Sequence, residues 1–333
     1  MIGLLRAVDE MAPKLQISRP TPISIPWLTP LTPWEKFRRD PARFLARWLY
    51  LRMPTSQQFD NSAFSSSVAV VCISDTHCTE PDVPDGDILI HSGDLTNKGS
   101  FEELQKQLDW LNTLPHKHKI VIGGNHDSLL DPAYVARFPE RIHEGEGTSR
   151  SDLNWGSIAY LNNTSAKICL DRKRTLSVYG SPWTPEYGAF AFQYPPIRKV
   201  WADTIPNDID ILVTHGPPQG HLDLEGKGCP QLLKELKRVR PRLVVFGHIH
   251  AGRGRDVIRY DGIGNAYDRV MTGEAGLAAV VVMAILVAWS WLSSIPFGMS
   301  RGSSDKGVTL LVNAAVVGGR YNEDNHGGTS VTI

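Results

Sequence analysis

The stretch Lys119-Ile-Val-Ile-Gly-Gly-Asn-His-Asp127 sets a pattern that recurs along this 333-residue chain. Its first half is a short run rich in β-branched residues, which is typical of a strand covered on both faces. Two glycines then let the backbone turn at once and leave room for an ion and a substrate. An amide, an imidazole and a carboxylate follow, so the end of this strand predicts a chemically active loop.

Four further motifs have the same arrangement, each at the carboxyl end of a predicted strand. They are Asp75-Thr-His77, Gly93-Asp94, Thr214-His215-Gly216 and Gly247-His-Ile-His250. Side chains two residues apart on an extended backbone point the same way, so Asp75 and His77 can bind one ion together, as can His248 and His250. The pattern predicts strands at 68–74, 87–91, 119–122, 209–213, 243–246, 308–312 and 330–333, a hairpin over 166–179, and helices at 100–114 and 229–239.

The donors collected by these motifs indicate a metal centre. They are carboxylate oxygens, an amide oxygen and imidazole nitrogens, with no thiolate. This mixed set suits manganese, iron or zinc and argues against a cysteine-rich structural zinc site. It also supplies too many ligands for one tetrahedral ion, so two divalent ions bridged by one carboxylate are the economical interpretation.

The order of the five motifs resembles the calcineurin-like metallophosphoesterase superfamily. The resemblance is closest to the metallophosphoesterase-domain group first named from vertebrate brain and to its fungal counterparts. Longer matches to that group are Tyr179-Gly-Ser-Pro-Trp-Thr-Pro185, Asp210-Ile-Leu-Val-Thr-His-Gly-Pro-Pro218 and Arg240-Pro-Arg-Leu-Val-Val-Phe-Gly-His-Ile-His250. It implies an α+β, four-layer αββα fold in which two mixed β-sheets pack as a sandwich flanked by helices, with a dinuclear metal site at the strand ends.

Carried onto this sequence, the resemblance implies seven metal ligands and one catalytic histidine. The ligands are Asp75, His77 and His250 for one ion, Asn125, His215 and His248 for the other, and Asp94 as the bridge. His126 is expected to donate a proton or hydrogen bond to the substrate phosphate or its leaving oxygen. Two cations would polarise the phosphoryl oxygens and make hydroxide available near neutral pH for attack on phosphorus. We expect the ions to be manganese, with iron or zinc as alternatives.

The resemblance also bears on the substrate. Protein phosphatases of the superfamily follow their Gly-Asp with an Asp-Arg-Gly, whereas Gly93-Asp94 here continues Leu-Thr-Asn-Lys-Gly. A phosphoprotein substrate is therefore disfavoured, and small phosphodiesters such as cyclic nucleotides are expected. The alternative is a protein that keeps the metal site to bind a nucleotide or a partner with little turnover, or a membrane-tethered adaptor.

Composition excludes several other classes. Apolar residues make up 41% of the chain and charged residues 21%, which rules out disorder over most of its length. Lys+Arg and Asp+Glu are both 35, so no global charge favours a nucleic-acid polymer. Four cysteines without a Cys-x-x-Cys pair are too few for a disulfide framework. With no apolar leader near Met1, we expect a reducing, cytoplasmic location. Nothing in the sequence predicts the oligomeric state.

The sequence divides into a Pro-rich arm, residues 1–67, and a metallophosphoesterase domain, residues 68–333. A helix over about 40–52 should begin at Asp40 and Pro41. Its apolar face is expected to hold Phe37, Phe44, Trp48 and Leu51, with Arg39, Arg43 and Arg47 opposite. We expect this helix either to contact a membrane surface or to pack on the domain with its arginines in water.

An apolar insertion at about 265–305 interrupts the predicted domain near its end. Residues 275–300 carry no charge and are long enough to pass a hydropathy test for a membrane helix. A single span would separate the strand at 308–312 from the metal centre, so we prefer an insertion that packs on the domain or dips into one leaflet. Elsewhere, His116 and His118 are expected at the surface, His221 in a loop or near the substrate mouth, and Trp183 as a packing anchor or an aromatic substrate contact.

Overall fold

We describe a computed structural model over residues 31–53, 67–142, 149–170, 174–224, 226–293, 307–318 and 324–333. The chain divides into two compact units, residues 1–41 and 42–333. The helix of the smaller unit, α1 (Pro33–Arg39), begins at a capping box of Thr32 and Glu35. Much of the predicted Pro-rich arm, residues 1–30 and 54–66, lies outside the described residues.

The first mixed sheet carries three of the five motifs. Its strands are β1 (Ala69–Ile73), β2 (Ile88–His91), β3 (His118–Val121), β4 (Ile158–Tyr160) and β15 (Thr329–Thr332). They lie in the order β15-β1-β2-β3-β4, and β1 to β4 run parallel while β15 is an antiparallel edge strand. β1 and β2 are almost wholly buried, as expected of apolar runs that are covered on both faces.

The second mixed sheet carries the other two motifs. Its strands are β5 (Thr164–Cys169), β6 (Thr175–Ser181), β9 (Ile211–Thr214), β10 (Leu243–Phe246), β11 (Gly254–Arg259) and β12 (Val308–Asn313). Their order is β11-β12-β10-β9-β6-β5, with antiparallel edge strands at both ends. The antiparallel pair of β5 and β6 confirms the predicted hairpin. Two short ribbons pair β7 (Thr184–Pro185) with β8 (Gln193–Tyr194) and β13 (Val317–Gly318) with β14 (Asp324–Asn325).

Six α-helices of the larger unit are described, some against the outer faces of the sheets and some in a cluster of their own. They are α2 (Pro41–Tyr50), α3 (Phe101–Thr113), α4 (Pro132–Arg137), α5 (Pro230–Val239), α6 (Gly262–Met271) and α7 (Leu277–Ser293). The inner faces meet through residues such as Val70, Val213 and Val245, while Leu108 of α3 packs on the first sheet and Leu236 of α5 on the second. The layers therefore run helix, sheet, sheet, helix, which confirms the predicted αββα fold.

The predicted helix over 40–52 differs from the observed one in two respects. The helix begins at Pro41, whose missing N–H prevents continuity with α1, so Phe37 lies in the separate helix. Its covered face is also rotated, because Ala46 and Tyr50 are buried whereas Trp48 and Leu51 are exposed. Residues 42–53, which the sequence assigned to the arm, thus pack within the larger unit.

The reason for the rotation is Tyr50. Its ring stacks on Tyr267 of α6 with centroids 4.0 Å apart, and its hydroxyl donates to the Val257 carbonyl at 2.7 Å. Ala46 and Met53 complete the contact with α6 and α7 in one apolar cluster. These contacts determine which face of α2 is buried, although the opposite face carries more large apolar residues.

Within the described residues the predicted apolar insertion comprises α6 and α7, which follow β11, and its last part, residues 294–305, lies outside them. Buried residues of both helices, such as Tyr267 and Met283, belong to the cluster that also holds Tyr50. Among the described residues, no helix combines the length and hydropathy needed to cross a membrane. The insertion packs on the domain along one side of α7.

Candidate metal centre

The five predicted loops meet at the carboxyl ends of strands from both sheets. Asp75 and Asp94 follow β1 and β2, and Asn125 follows β3. His215 follows β9, and the pair His248 and His250 follows β10. All seven predicted ligand positions converge on one region, although they span much of the sequence.

One group of potential ligands consists of Asp75, His77 and His250. One ligand atom from each lies within 4.8 Å of the others. The Nε2 atom of His250 is 3.2 Å from Asp75 Oδ1. Asp75 and His77 are buried and His250 is half-buried, so the group opens toward solvent on the His250 side.

A second group consists of Asp94, His215 and His248, again with ligand atoms within 4.8 Å of one another. His215 Nε2 is 3.2 Å from Asp94 Oδ2 and 3.0 Å from the Oδ1 atom of Asn125. The same Asp94 Oδ2 lies 3.9 Å from His77 Nε2, which belongs to the first group. Asp94 therefore stands between the two groups, the position that a bridging carboxylate requires.

Backbone carbonyls fix the tautomers of two of these histidines. His77 donates from Nδ1 to the Thr96 carbonyl at 3.2 Å, and His215 donates from Nδ1 to the Ser92 carbonyl at 2.9 Å. Each Nε2 atom then faces the carboxylates, and once unprotonated it offers the lone pair by which histidines bind metals. The Nε2 atom of His77 is buried and has no hydrogen-bond partner among the described residues. A cation would satisfy this atom, so the residues present fit a metal.

Several of the ligand residues have a left-handed backbone conformation, which is strained for any residue other than glycine. Asp75, Asp94 and His248 all have positive φ, at 55°, 54° and 66°. The tight approach of the loops requires glycine at 247, because a Cβ there would lie 1.9 Å from Asp75 Oδ2. The His248 amide in turn donates to both oxygens of Asp75 at 3.0 Å, which holds the two ligand loops together.

The electrostatics of the centre favour ionised carboxylates. Burial by itself would raise the pKa of Asp94, but the neighbouring His215 and other histidines lower it well below its usual value. Asp75 behaves in the same way, with His250 and His215 overcoming the effect of burial on its pKa. Burial would lower the pKa of His215, yet Asp94 raises it to about 9. Burial lowers the pKa of His248 to about 4. Two buried anions thus face a compensating positive charge.

Asp127 holds the loops of the centre from behind. Its carboxylate accepts hydrogen bonds from the backbone amides of Gly124, Leu95 and Thr96 and from the Thr96 hydroxyl, at 2.7 to 3.2 Å. Burial and the nearby Asp94 raise its pKa to about 6. The sequence did not predict this role, because the only signal for Asp127 was its position directly after His126.

His91, the last residue of β2, is buried and supports the same region. Its Nδ1 accepts from the Gly93 amide at 3.2 Å, and its Nε2 faces the Thr76 hydroxyl at 3.0 Å. Burial lowers its pKa to about 3, so it is a neutral imidazole. It therefore positions the Gly93-Asp94 turn without adding charge.

His126 lies beside the two groups rather than in either. Its amide donates to Asp94 Oδ1, and its Nδ1 donates to the Asn97 carbonyl, both at 2.8 Å. Its ring is 5.0 Å from that of His77 and is half-buried. With Nδ1 donating to a carbonyl, Nε2 is the ring nitrogen left to exchange a proton with a substrate, and it carries that proton when both nitrogens are protonated.

Two exposed aromatic side chains flank the centre. The rings of Tyr187 and Phe190 stack with centroids 5.4 Å apart. Tyr187 is 5.3 Å from the His248 ring, and Phe190 is 5.3 Å from the His126 ring. A cavity of about 310 Å³ lies against Phe190 and is also lined by Tyr134. Only the aromatic content of the loop before β8 could have suggested this pair.

The aromatic residue singled out from sequence is not part of this pair. Trp183 is half-buried and packs edge-to-face on Trp201, with ring centroids 6.0 Å apart. His116, expected at the surface, is instead buried, and its Nε2 faces the Pro84 carbonyl at 3.0 Å.

His221 lies in the loop between β9 and α5, as predicted, but it is buried there. It is fully buried and contacts Asp256 of β11 at 2.9 Å and Asp268 of α6 at 3.2 Å through its two ring nitrogens. Lys237 adds an ion pair of 2.7 Å to Asp268. The loop prediction is therefore confirmed, whereas full burial excludes a place at an open substrate mouth.

Residues 68–252 match the family model described as calcineurin-like phosphoesterase. The chain is 43% identical over 288 residues to a protein of Emericella nidulans named probable rhamnogalacturonate lyase C, and 38% identical over 204 residues to human metallophosphoesterase domain-containing protein 1. It is 36% identical over 214 residues to a UPF0046 protein of Caenorhabditis elegans.

These matches cover different shares of the proteins. They include 86%, 55% and 59% of this chain, respectively. Of the relatives, the chain spans 26% of the Emericella protein, 61% of the human protein and 74% of the nematode protein.

Proposed function

The chain belongs to the calcineurin-like phosphoesterase family, and from that premise we propose that it is a metal-dependent phosphodiesterase that hydrolyses small phosphodiesters such as cyclic nucleotides. The observation that carries the proposal is the pair of three-residue ligand groups with Asp94 between them. Lyase activity is not carried over from the Emericella relative, of which the chain spans only 26%.

The residues fit two divalent cations, for which we propose manganese, with iron or zinc as alternatives. Asp75, His77 and His250 would hold one ion, and His215, His248 and Asn125 the other. Asp94 would be shared. When bound, such ions polarise phosphoryl oxygens and make a water acidic enough to act as a nucleophile near neutral pH. The mixed nitrogen and oxygen donors are the type that these metals accept.

His126 supplies the protein's own acid–base group. The Asn97 carbonyl fixes its ring through Nδ1, and the Asp94 carboxylate fixes its backbone. In the imidazolium form its Nε2 can therefore deliver a proton to the leaving oxygen of the ester, and the neutral ring that remains keeps its orientation through Nδ1–H. Because it does not belong to either ligand group, its loss should reduce turnover but leave metal binding intact.

The aromatic pair of Tyr187 and Phe190 supports a substrate that carries a base. Both rings are exposed, at 59% and 37%, and each adjoins an imidazole of the centre. Exposed aromatic rings beside a phosphate site are suited to stacking on a nucleobase. An alkyl phosphodiester would leave this surface unused.

The function is tested with protein reconstituted with Mn²⁺ and assayed on bis-p-nitrophenyl phosphate and on cyclic AMP. We expect Asp94→Asn to lose metal and activity, and His126→Ala to keep the metal while kcat falls by about 10²-fold or more. His326→Ala, which removes an exposed histidine, serves as the control. A wild type no faster than the Asp94→Asn and His126→Ala variants contradicts the proposal and favours a binding protein with little turnover.

The base is tested by comparing cyclic AMP with the 3′,5′-cyclic phosphate of methyl riboside, which has the same reacting bonds and no base. Replacing both Tyr187 and Phe190 by alanine should lower kcat/KM for cyclic AMP about tenfold more than for the riboside. Ile197→Ala is the control, because Ile197 is an exposed apolar residue that follows β8. Equal losses on both substrates would exclude base stacking while leaving hydrolysis itself established.

A further inference from the structure

Helix α7 is apolar around its whole circumference, yet only one side of it is covered. Between Leu277 and Ser293 the sequence contains no charged residue. Val280 and Met283 are buried against α6 and α2, with Leu286 and Val287 partly buried beside them. These residues form a single stripe at helical spacing. Most of the large side chains on the rest of the helix are exposed within the described part of the chain.

The open side of α7 consists of large apolar residues. Val281, Val282, Ile285, Trp289 and Leu292 are each between 52% and 68% exposed. A continuous face of this kind on a soluble domain marks an interaction surface rather than ordinary scatter of apolar residues. We define this set as the α7 face. Its tryptophan, Trp289, lies near the carboxyl end of the helix, and tryptophan favours the boundary between apolar and aqueous phases.

The size of the α7 face argues against a second copy of the chain as its occupant. Seventeen residues form a helix about 25 Å long, so one side covers only a few hundred Å². A stable protein interface buries about 800 Å² on each partner. The helix is also shorter than the roughly 20 residues that cross a bilayer. A helix that lies in the plane of a lipid surface needs neither the area of a protein interface nor the length of a membrane span.

We propose that the α7 face binds the surface of a lipid bilayer, with Ile285, Trp289 and Leu292 inserted among the headgroups and upper acyl chains. The opposite stripe of the helix stays packed on the protein. Tyr267 of α6 stacks on Tyr50 and donates to the Gly220 carbonyl at 2.7 Å, which connects this helical cluster to the loop that follows His215. Binding at the α7 face would therefore attach the whole catalytic unit to the surface.

The test is flotation of the full-length protein with vesicles of phosphatidylcholine alone and of phosphatidylcholine with an equal amount of phosphatidylserine. Because α7 carries no charge, we expect binding to both, largely retained in about 0.5 M NaCl. The variant Ile285→Ser/Trp289→Ser/Leu292→Ser should reduce the partition coefficient at least about tenfold. Trp34→Ser/Ile197→Ser removes comparably exposed apolar side chains elsewhere and should bind like wild type.

Two further measurements keep the proposal falsifiable. An unchanged unfolding midpoint and unchanged hydrolysis by the α7 variant would show that it is folded. Brominated acyl chains should quench wild-type tryptophan fluorescence, and Trp289→Phe should lose most of that quenching. The proposal is overturned if wild type does not float, if the α7 variant floats equally well, or if sedimentation shows a dimer that the variant dissociates and no vesicle binding.

Discussion

His221 offers the sharpest test of how this fold is held together. Its imidazole is fully buried between Asp256 and Asp268, and the rings of Tyr50 and Tyr267 lie 5.9 Å and 5.3 Å away. These contacts join a loop near the metal centre, strand β11 and helices α2 and α6. Replacing His221 by glutamine keeps a polar side chain of similar size but removes the titratable charge.

The magnitude follows from the pKa of the imidazole. Burial acts to lower it, but the two carboxylates outweigh burial and raise the pKa of His221 from 6.5 to about 9. A shift of that size corresponds to about 3 kcal/mol of folding free energy. Since the folded pKa lies above the unfolded value, this contribution is complete below about pH 6.5 and disappears as the pH rises through about 9.

The assay is urea unfolding of wild type and His221→Gln across that pH window, followed by circular dichroism. The stability difference between the two proteins should shrink by about 3 kcal/mol from the acidic to the alkaline end. The pKa values of Tyr50 and Tyr267 are both raised by burial, so these neighbours do not ionise within the window. A difference that is independent of pH would refute a charged His221.

Three further predictions concern the metal centre. Gly247→Ala should weaken Mn²⁺ binding about tenfold or more, because its Cβ would meet Asp75 Oδ2, whereas Gly276→Ala, with no atom within 4 Å, should bind normally in calorimetry. Asp127→Asn removes the charged acceptor of three backbone amides and should lower kcat/KM about tenfold in steady-state assays. Dialysis against EDTA should lower the thermal midpoint by leaving the buried carboxylates without a metal, and added Mn²⁺ should restore it; no change in either step would contradict a metal held in the folded state.

Much of the sandwich could be predicted because its strands are short apolar runs bounded by glycine or charge. The predicted strand 243–246 coincides with β10 (Leu243–Phe246), and the other central strands shift by one or two residues at their ends. The motif order also anticipated which loops meet, since parallel strands bring their carboxyl ends to one edge. The sequence motifs did not give the distances that place Asp94 between the two ligand groups.

The failures occurred where partners lie far apart in sequence. His221 is 35 residues from Asp256 and 47 from Asp268, so no local spacing could reveal a buried charge cluster. The covered face of α2 was misassigned for the same reason, since Tyr50 is buried by Tyr267 and Val257, which the linear pattern does not bring near it. Periodicity reports which residues could be buried, and tertiary contacts decide which of them are.

The position of the insertion explains how one chain can combine a constrained metal centre with an exposed apolar helix. Helices α6 and α7 lie between β11 and β12, which are antiparallel neighbours at one edge of the second sheet. Lengthening such a connection costs little free energy and does not move the strand ends that carry the ligands. The hydrogen bonds and ion pairs of His221 and Tyr267 then fix the insertion to the catalytic unit. Removing charge from His221 should consequently loosen α6 and α7 before it disturbs the loops that hold Asp75 and Asp94.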